Sequence, residues 1–336
     1  PVPLERERGE GGHLPPRGQP PPPVGKDVVL RISSHLASGG EWFTDSNGRE
    51  MLKRTRDARP SWAFNQSEPV AGNYYPVNGA VAIRDGTRQL TVLSDSSLGG
   101  GSLHDGELEL MLHRRLLVDD FRGVGEPLNE TESVHPYVDC GGKGQRGCGE
   151  HYGNGLIVRG TLLLTLERPE TAAAVWRPLM EFLYHKPLLA FGAAHAELHT
   201  QGSRLAVYSA LRSALPSNVA LVTLVRTSAR TILLRLGHLF GEGEDASLSR
   251  PATIDLAAIF SREVLPKIEG AVELTLSANQ PKHRWIRRRA AWRVEGEDAP
   301  PRVEPWHVPL EWANSTYVLL GPLQIKTFAL TLADEY

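Results

Sequence analysis

From Lys26 onward, apolar and polar positions alternate with a period of two, the spacing of strands that bury one face. In "GELELMLHRRLL", Leu108, Leu110 and Leu112 fall on one face and Glu107, Glu109 and Met111 on the other. "DVVLRISSHL" and "RQLTVLSD" read as further strands, and "EWFTDSNGREMLKR" carries Asn47-Gly48, a strong hairpin-turn signal. "NGLIVRGTLLLTLERP" is more continuously apolar, as a strand buried on both faces would be. "TAAAVWRPLMEFLYH", Thr171–His185, is the best helix candidate. "NVALVTLVRTSARTILLRLGHLF" reads as a hairpin opening a second β unit, and "STYVLLGPLQIKTFALTL" as the strands that close it. No period repeats along the chain. Short strands separated by Gly, Pro and Asn turns predict an all-β fold with few short helices: residues 26–210 are expected to be part of a large β-sandwich (a super-sandwich), and 211–336 a smaller C-terminal β-sandwich. The boundary is expected where "HTQGSRLAVYSALRSALPS" breaks the strand rhythm.

Residues 1–25 differ from all this. Eight of the 25 prolines lie in the first 24 residues, and so little apolar surface predicts a flexible arm or processed loop. The whole chain of 336 residues is 40% apolar, which is enough for large cores. Its net charge of −2 gives no reason to expect a nucleic-acid partner or an acidic membrane. No run of about 18 uncharged apolar residues exists to span a bilayer. Three sequons, at Asn65, Asn129 and Asn314, lie in polar, turn-like stretches and predict glycosylation, hence a piece of a secretory-pathway precursor whose signal lies upstream; a truncated cytosolic chain is the alternative. The only cysteines, Cys140 and Cys148, flank a Gly-rich spacer that can fold back. In an oxidising compartment they should form a disulfide worth roughly 2–3 kcal/mol. Two thiols alone do not fill a tetrahedral metal site, and a free pair is the plainer alternative.

The usual catalytic signatures are missing: no G-x-S-x-G elbow, no H-E-x-x-H and no phosphate-binding loop. His195 and His199 are four apart, but their polar context favours solvation over a metal site. "HRRLLVDDFRGVGEPLNET" (113–131) is different, because it gathers both signs of charge ahead of a glycine-rich turn. Along a strand, Arg114 and Arg115 face opposite ways, as do Asp119 and Asp120, so one Arg and one Asp can pair on each side. Arg122 would then stand at the strand end, its fork of donors suited to vicinal sugar hydroxyls or carboxylates. The bland reading is a surface ion-pair network, which contributes little in water.

Several segments resemble the C-terminal half of glycoside hydrolase family 38 α-mannosidases of the lysosomal or plant vacuolar type. They are "FTDSNGREMLKR", "EPVAGNYYPVN", "QLTVLSD", "GSLHDGELELMLHRRLLVDDFRGVGEPLNET" and "HLFGEGED", in matching order and spacing. The resemblance is close over 26 to about 245 and looser beyond, and its flavour is nearer to plant-like members than to mammalian ones. It implies a retaining exo-α-mannosidase with a catalytic zinc, whose nucleophile and metal ligands lie in an N-terminal α/β domain. None of that domain's motifs is present here. The chain should therefore hold no metal and no catalytic nucleophile, and zinc would belong to a partner chain from the same precursor.

One active-site contribution carries over. The Arg of the family's D-D-x-R-G motif reaches the catalytic pocket and helps bind mannose hydroxyls. That motif is Asp119-Asp120-Phe121-Arg122-Gly123 here, so Arg122 is the expected substrate-binding residue, with Asp119 and Asp120 orienting it. Tyr74 or Tyr75 could stack on sugar, although core packing is the simpler role. Ser96 stands where relatives often have Arg, and the stretch around Cys140–Cys148 has no counterpart that we recognise. The implied partners are the N-terminal catalytic chain and mannose-containing glycans, in a lysosome or vacuole, with a higher oligomer left open. The rival reading is a non-catalytic carbohydrate-binding or structural β module.

Overall fold

The structure is a computed structural model that describes residues 25–45, 47–119, 121, 123, 125–127, 159–186, 189, 209–262, 265–288, 290, 305–313 and 315–334. It separates into two units, residues 1–172 with 179–184, and residues 173–178 with 185–336.

The first unit contains β1 (Lys26–Ser33), β2 (Glu41–Asp45), β3 (Met51–Thr55), β4 (Tyr75–Val77), β5 (Ala80–Arg84), β6 (Gln89–Ser94), β7 (Leu98–Gly101), β8 (Glu107–Arg115) and β9 (Leu162–Glu167). They form two antiparallel sheets, ordered β1-β8-β7-β4 and β3-β2-β5-β6-β9. Both sheets feed one core. Trp42, Val81, Ile83 and Val92 come from the five-stranded sheet, and Val77, Leu108 and Leu110 from the four-stranded one. The period-two pattern of β8 thus works as the sequence predicts for Leu108 and Leu110, while Leu112, where the pairing with β1 shifts register between Met111 and His113, is exposed. The hairpin at Asn47-Gly48 also forms. Gly48 has φ +75°, and Asn47 Oδ1 accepts from the N–H groups of Arg49 and Glu50 at 2.9 Å.

β9 departs from expectation. The apolar run predicts a doubly buried strand, yet β9 is the edge of its sheet. Leu164 and Leu166 pair with Val92 and Leu90, so they lie on the core-facing side, but they are 51% and 59% exposed. Nothing among the described residues covers that end of the inner face. Helix α1 (Pro169–Tyr184) follows, agreeing with the predicted Thr171–His185 to within two residues. Pro169 suits the first helical position, and Pro178 inside the helix cannot donate a backbone bond to the Ala174 carbonyl. The last turn of α1 packs near Gly79: a Cβ there would lie 3.1 Å from Met180 Sδ, and the Tyr184 hydroxyl donates to the Asn78 carbonyl.

The second unit contains β10 (Val219–Ser228), β11 (Thr231–His238), β12 (Ala252–Asp255), β13 (Ile268–Leu274), a short helix α2 (Lys282–Arg288), β14 (Tyr317–Leu320) and β15 (Ile325–Leu332). Its sheets run β10-β11-β15-β13 and β12-β14. Leu234, Leu236, Phe328 and Leu330 from the larger sheet meet Ile254 and Leu320 from the smaller. β10 and β11 are the predicted hairpin, and β14 and β15 are the predicted closing strands. The described chain is therefore an all-β protein with two α-helices. Neither helix is long and apolar enough to cross a membrane.

Candidate functional site

β8 carries the charged segment toward its turn. Arg114 sits opposite Asp27 of β1, and their side chains pair at 3.3 Å. The strand ends at Arg115, four residues before Asp119. Asp119 therefore does not share a strand face with either arginine; its Oδ2 accepts the Phe121 N–H at 2.7 Å and closes a tight turn. Phe121 is held at φ +60°, an uncommon conformation for a bulky residue, and is 86% exposed. The strand reading, with one Arg and one Asp paired on each side, therefore fails for Asp119, because β8 ends at Arg115, and Arg114 pairs across to β1 instead. Asp120 and Arg122 lie outside the described residues, as do Asn129, Asn314, Cys140, Cys148, His195 and His199.

Beside this end of β8 is an open groove of about 420 Å³. Asn78, Ser97, His113 and Arg114 supply its polar lining, and Leu98 and Leu112 part of the apolar wall. A rim of hydroxyl, amide and guanidinium next to aliphatic surface can hydrogen-bond and pack a polyol. It offers no pair of converging carboxylates.

The adjacent outer face of the sheet is built around Glu109. Its Oε1 accepts from the Tyr74 hydroxyl and its Oε2 from Arg31 Nη2 at 2.7 Å, so both carboxylate oxygens are engaged. Burial first, and then the bond to Glu109, push the Tyr74 phenol well above its ordinary range, so it remains a neutral donor. The bond to Glu109 likewise raises Arg31. Tyr74 lies against "GGG" of β7: a Cβ at Gly99 or Gly101 would come within 3.3 or 3.2 Å of the ring. A Cβ at Gly100, on the opposite face, would meet Val77 at 2.9 Å. The glycines are there for close packing. Tyr75 packs edge-on to Trp42 with ring centroids 5.5 Å apart, and Arg54 covers its ring at 4.3 Å. Both tyrosines of "NYYPV" thus make the packing contacts of the simpler role.

Two further motifs also prove to be scaffolding. In "TDSNGRE", the buried Asp45 Oδ1 accepts from the N–H groups of Asn78, Gly79 and Ala80 at 3.0, 2.9 and 2.8 Å, and Oδ2 from Gly48 N–H at 2.8 Å. Sequence reasoning saw only a turn here, and an Asp two residues before Asn-Gly was the available signal. In "HLFGEGED", Glu244 takes a fork from the buried Arg177 at 2.6 and 3.0 Å, and Asp245 accepts from Ser247 and Leu248 N–H. His238 is fully buried: its Nε2 lies 2.9 Å from the Arg250 carbonyl, and Phe240 N–H points to Nδ1 at 3.2 Å. Asn65 is exposed and open to modification. Among the described residues no three His, Cys, Asp or Glu side chains converge as a metal site, so zinc finds no fit there.

Residues 19–122 match the family model described as "Glycosyl hydrolases family 38 C-terminal domain". The match ends at Arg122. The chain is, further, a relative of α-mannosidases over nine-tenths of its length. It is 43% identical to bovine lysosomal alpha-mannosidase over 93% of this chain and 28% of that protein. Against human lysosomal alpha-mannosidase the figures are 41%, 90% and 27%, and against the Canavalia ensiformis alpha-mannosidase 38%, 91% and 30%. The chain thus spans a little over a quarter of these relatives, less than the half that the sequence suggested. Nor is it nearer to plant members, since the mammalian identities are the higher. A crystal structure of an alpha-mannosidase from Enterococcus faecalis V583 aligns with a TM-score of 0.48 and 13% identity over 90% of this chain and 25% of that one, too distant to carry an argument.

Proposed function

We propose that this chain is the C-terminal part of a retaining exo-α-mannosidase that removes terminal α-D-mannose from N-glycans and oligosaccharides in a lysosome or vacuole. The observation that carries the reading is the identity of about 40% to lysosomal α-mannosidases over most of the chain. The rest of the enzyme, the N-terminal chain of the same precursor, would bring the nucleophile and the zinc. No step through zinc is assigned to the described residues. Two tasks fall to this chain. Arg122 lends charged donors to mannose hydroxyls, while the Asp119 turn and Asp120 hold the loop that presents it. The large sandwich over 26–210 and the smaller one over 211–336 support the catalytic part. The uncovered inner-face leucines of β9, Leu164 and Leu166, favour that role, because apolar surface of this kind belongs against another part of the molecule. A Cys140–Cys148 disulfide and glycans on Asn65, Asn129 and Asn314 complete the reading.

The test is Arg122→Ala in the assembled enzyme, assayed on a chromogenic α-mannoside between about pH 4 and 6, with and without a zinc chelator. Charge-assisted bonds in a dry pocket are worth about 2–4 kcal/mol, so kcat/KM should fall roughly 30- to 1000-fold. Unchanged kcat/KM removes Arg122 from the pocket. Native mass spectrometry that finds no heavier chain, with no activity at any pH, leaves the rival carbohydrate-binding module as the better reading.

A further inference from the structure

α2 carries Lys282, His283, Arg284, Arg287 and Arg288 in seven residues. Lys282 turns inward, with Nζ 2.5 Å from the buried carboxylate of Glu273 on β13, and the half-buried Ile286 lies four residues on, along the same side. Arg284, Arg287 and Arg288 share another side at spacings of three and four, and all three are exposed. Among the described residues none of them has a carboxylate partner. Like charges four apart oppose helix formation, and so short a helix has little stability of its own. The chain as a whole carries only −2, so this stripe is a local concentration of positive charge. Apolar surface accompanies it. Trp285, three residues from Arg288, is 41% exposed, and Leu276, in the turn leading to α2, is 58% exposed.

We propose that α2 is a docking patch for an anionic lipid bilayer surface. Arg284, Arg287 and Arg288 bind headgroup phosphates, and Trp285 sits at the acyl boundary. An arginine fork matches two phosphate oxygens, and a convex helix face suits a plane better than an enclosed ligand. Exposed indole beside cationic side chains is the composition of interfacial helices. A soluble polyanion would meet the same arginines but offer Trp285 no apolar phase. This docking goes beyond the glycosidase reading and does not depend on it.

The experiment is flotation of the chain with vesicles of phosphatidylcholine alone, and with vesicles containing about a third phosphatidylserine. Wild type should float only with the anionic vesicles and should be released by about 0.5 M salt, where the screening length is a few ångströms. At about fivefold per charge, R284A/R287A/R288A should partition on the order of a hundredfold more weakly. R284K/R287K/R288K, which keeps the charge, should retain most of the binding. The variants leave Lys282 and Ile286 in place. Should the triple-alanine chain fail to fold, the single outward change Arg287→Glu serves instead, with a loss of more than fivefold expected. Equal flotation of wild type and these variants overturns the proposal. So does binding to immobilised heparin without flotation, which would assign the stripe to soluble polyanions. Absence of wild-type binding overturns it too, and would direct attention to the acidic residues Glu295, Glu297 and Asp298 that follow in sequence.

Discussion

Asp45 is 1% exposed and has four backbone N–H groups aimed at its two oxygens. The arrangement ties the β2–β3 turn to the start of β5, so one side chain fixes the relation of two turns far apart in sequence. A carboxylate buried in this way is costly to remove, since each stranded donor loses its water as well as its partner. Asp45→Ala should destabilise the chain by about 3 kcal/mol or more, read as a lower urea midpoint with an unchanged slope. An unchanged midpoint would mean that water replaces the carboxylate without loss. Phe121 shows the opposite case, a residue whose local preference is overridden: an exposed aromatic at φ +60°, kept there by the Asp119 carboxylate. Strain of this kind persists where the surroundings demand it, here one residue from the proposed sugar-binding arginine.

At the scale of elements, α2 is bound to its sheet by charge. Glu273 of β13 is buried between Lys282 of α2 at 2.5 Å and Lys326 of β15 at 3.4 Å, and it accepts the Leu310 N–H at 2.9 Å. Two cations therefore share one anion. Burial is the first cause of the lowered Lys326 pKa, and Glu273 only partly opposes it. Glu273→Gln would leave both lysines uncompensated and should cost about 3–5 kcal/mol. Lys326→Met leaves one matched pair and should be near neutral. Thermal midpoints of the two variants test this, and a larger loss for Lys326→Met would reverse the assignment. None of the triad was visible in sequence, because its members come from three elements. What could be read was local: the alternation of β8, the Asn47-Gly48 hairpin, the helix near 171–185 and the β10–β11 pair. The failures had non-local causes. β9 reads as buried because its leucines do face the core side; its edge position depends on pairing that the sequence does not state. Arg114 finds Asp27, 87 positions away in the chain, where sequence reading looked for a neighbour. A whole-chain charge of −2 likewise concealed the arginine stripe of α2.

Over the whole molecule, acid response follows from carboxylates that clip turns in both units. Asp85 is held below the ordinary carboxylate range by the N–H groups of Thr87 and Arg88, Asp105 by Gly40 N–H and the Ser38 hydroxyl, and Asp245 by Leu248 and Ser247 N–H. Each is ionised more readily folded than unfolded. The unfolded chain, with its aspartates near about 3.9, therefore binds more protons through the acid range. Stability from these clips is complete above that value and is lost as the pH falls through the lower folded values. The urea midpoint should then be nearly level between about pH 7 and 5 and should drop by about pH 3. Asp245→Asn should lower the midpoint at pH 5 and flatten the subsequent fall, since one titrating clip is gone. A midpoint that rises on acidification would contradict the sign of these shifts. The direction also suits the proposed setting: an acidic organelle near about pH 5 lies above the window in which the clips release, so the fold keeps its turns closed where the enzyme would work.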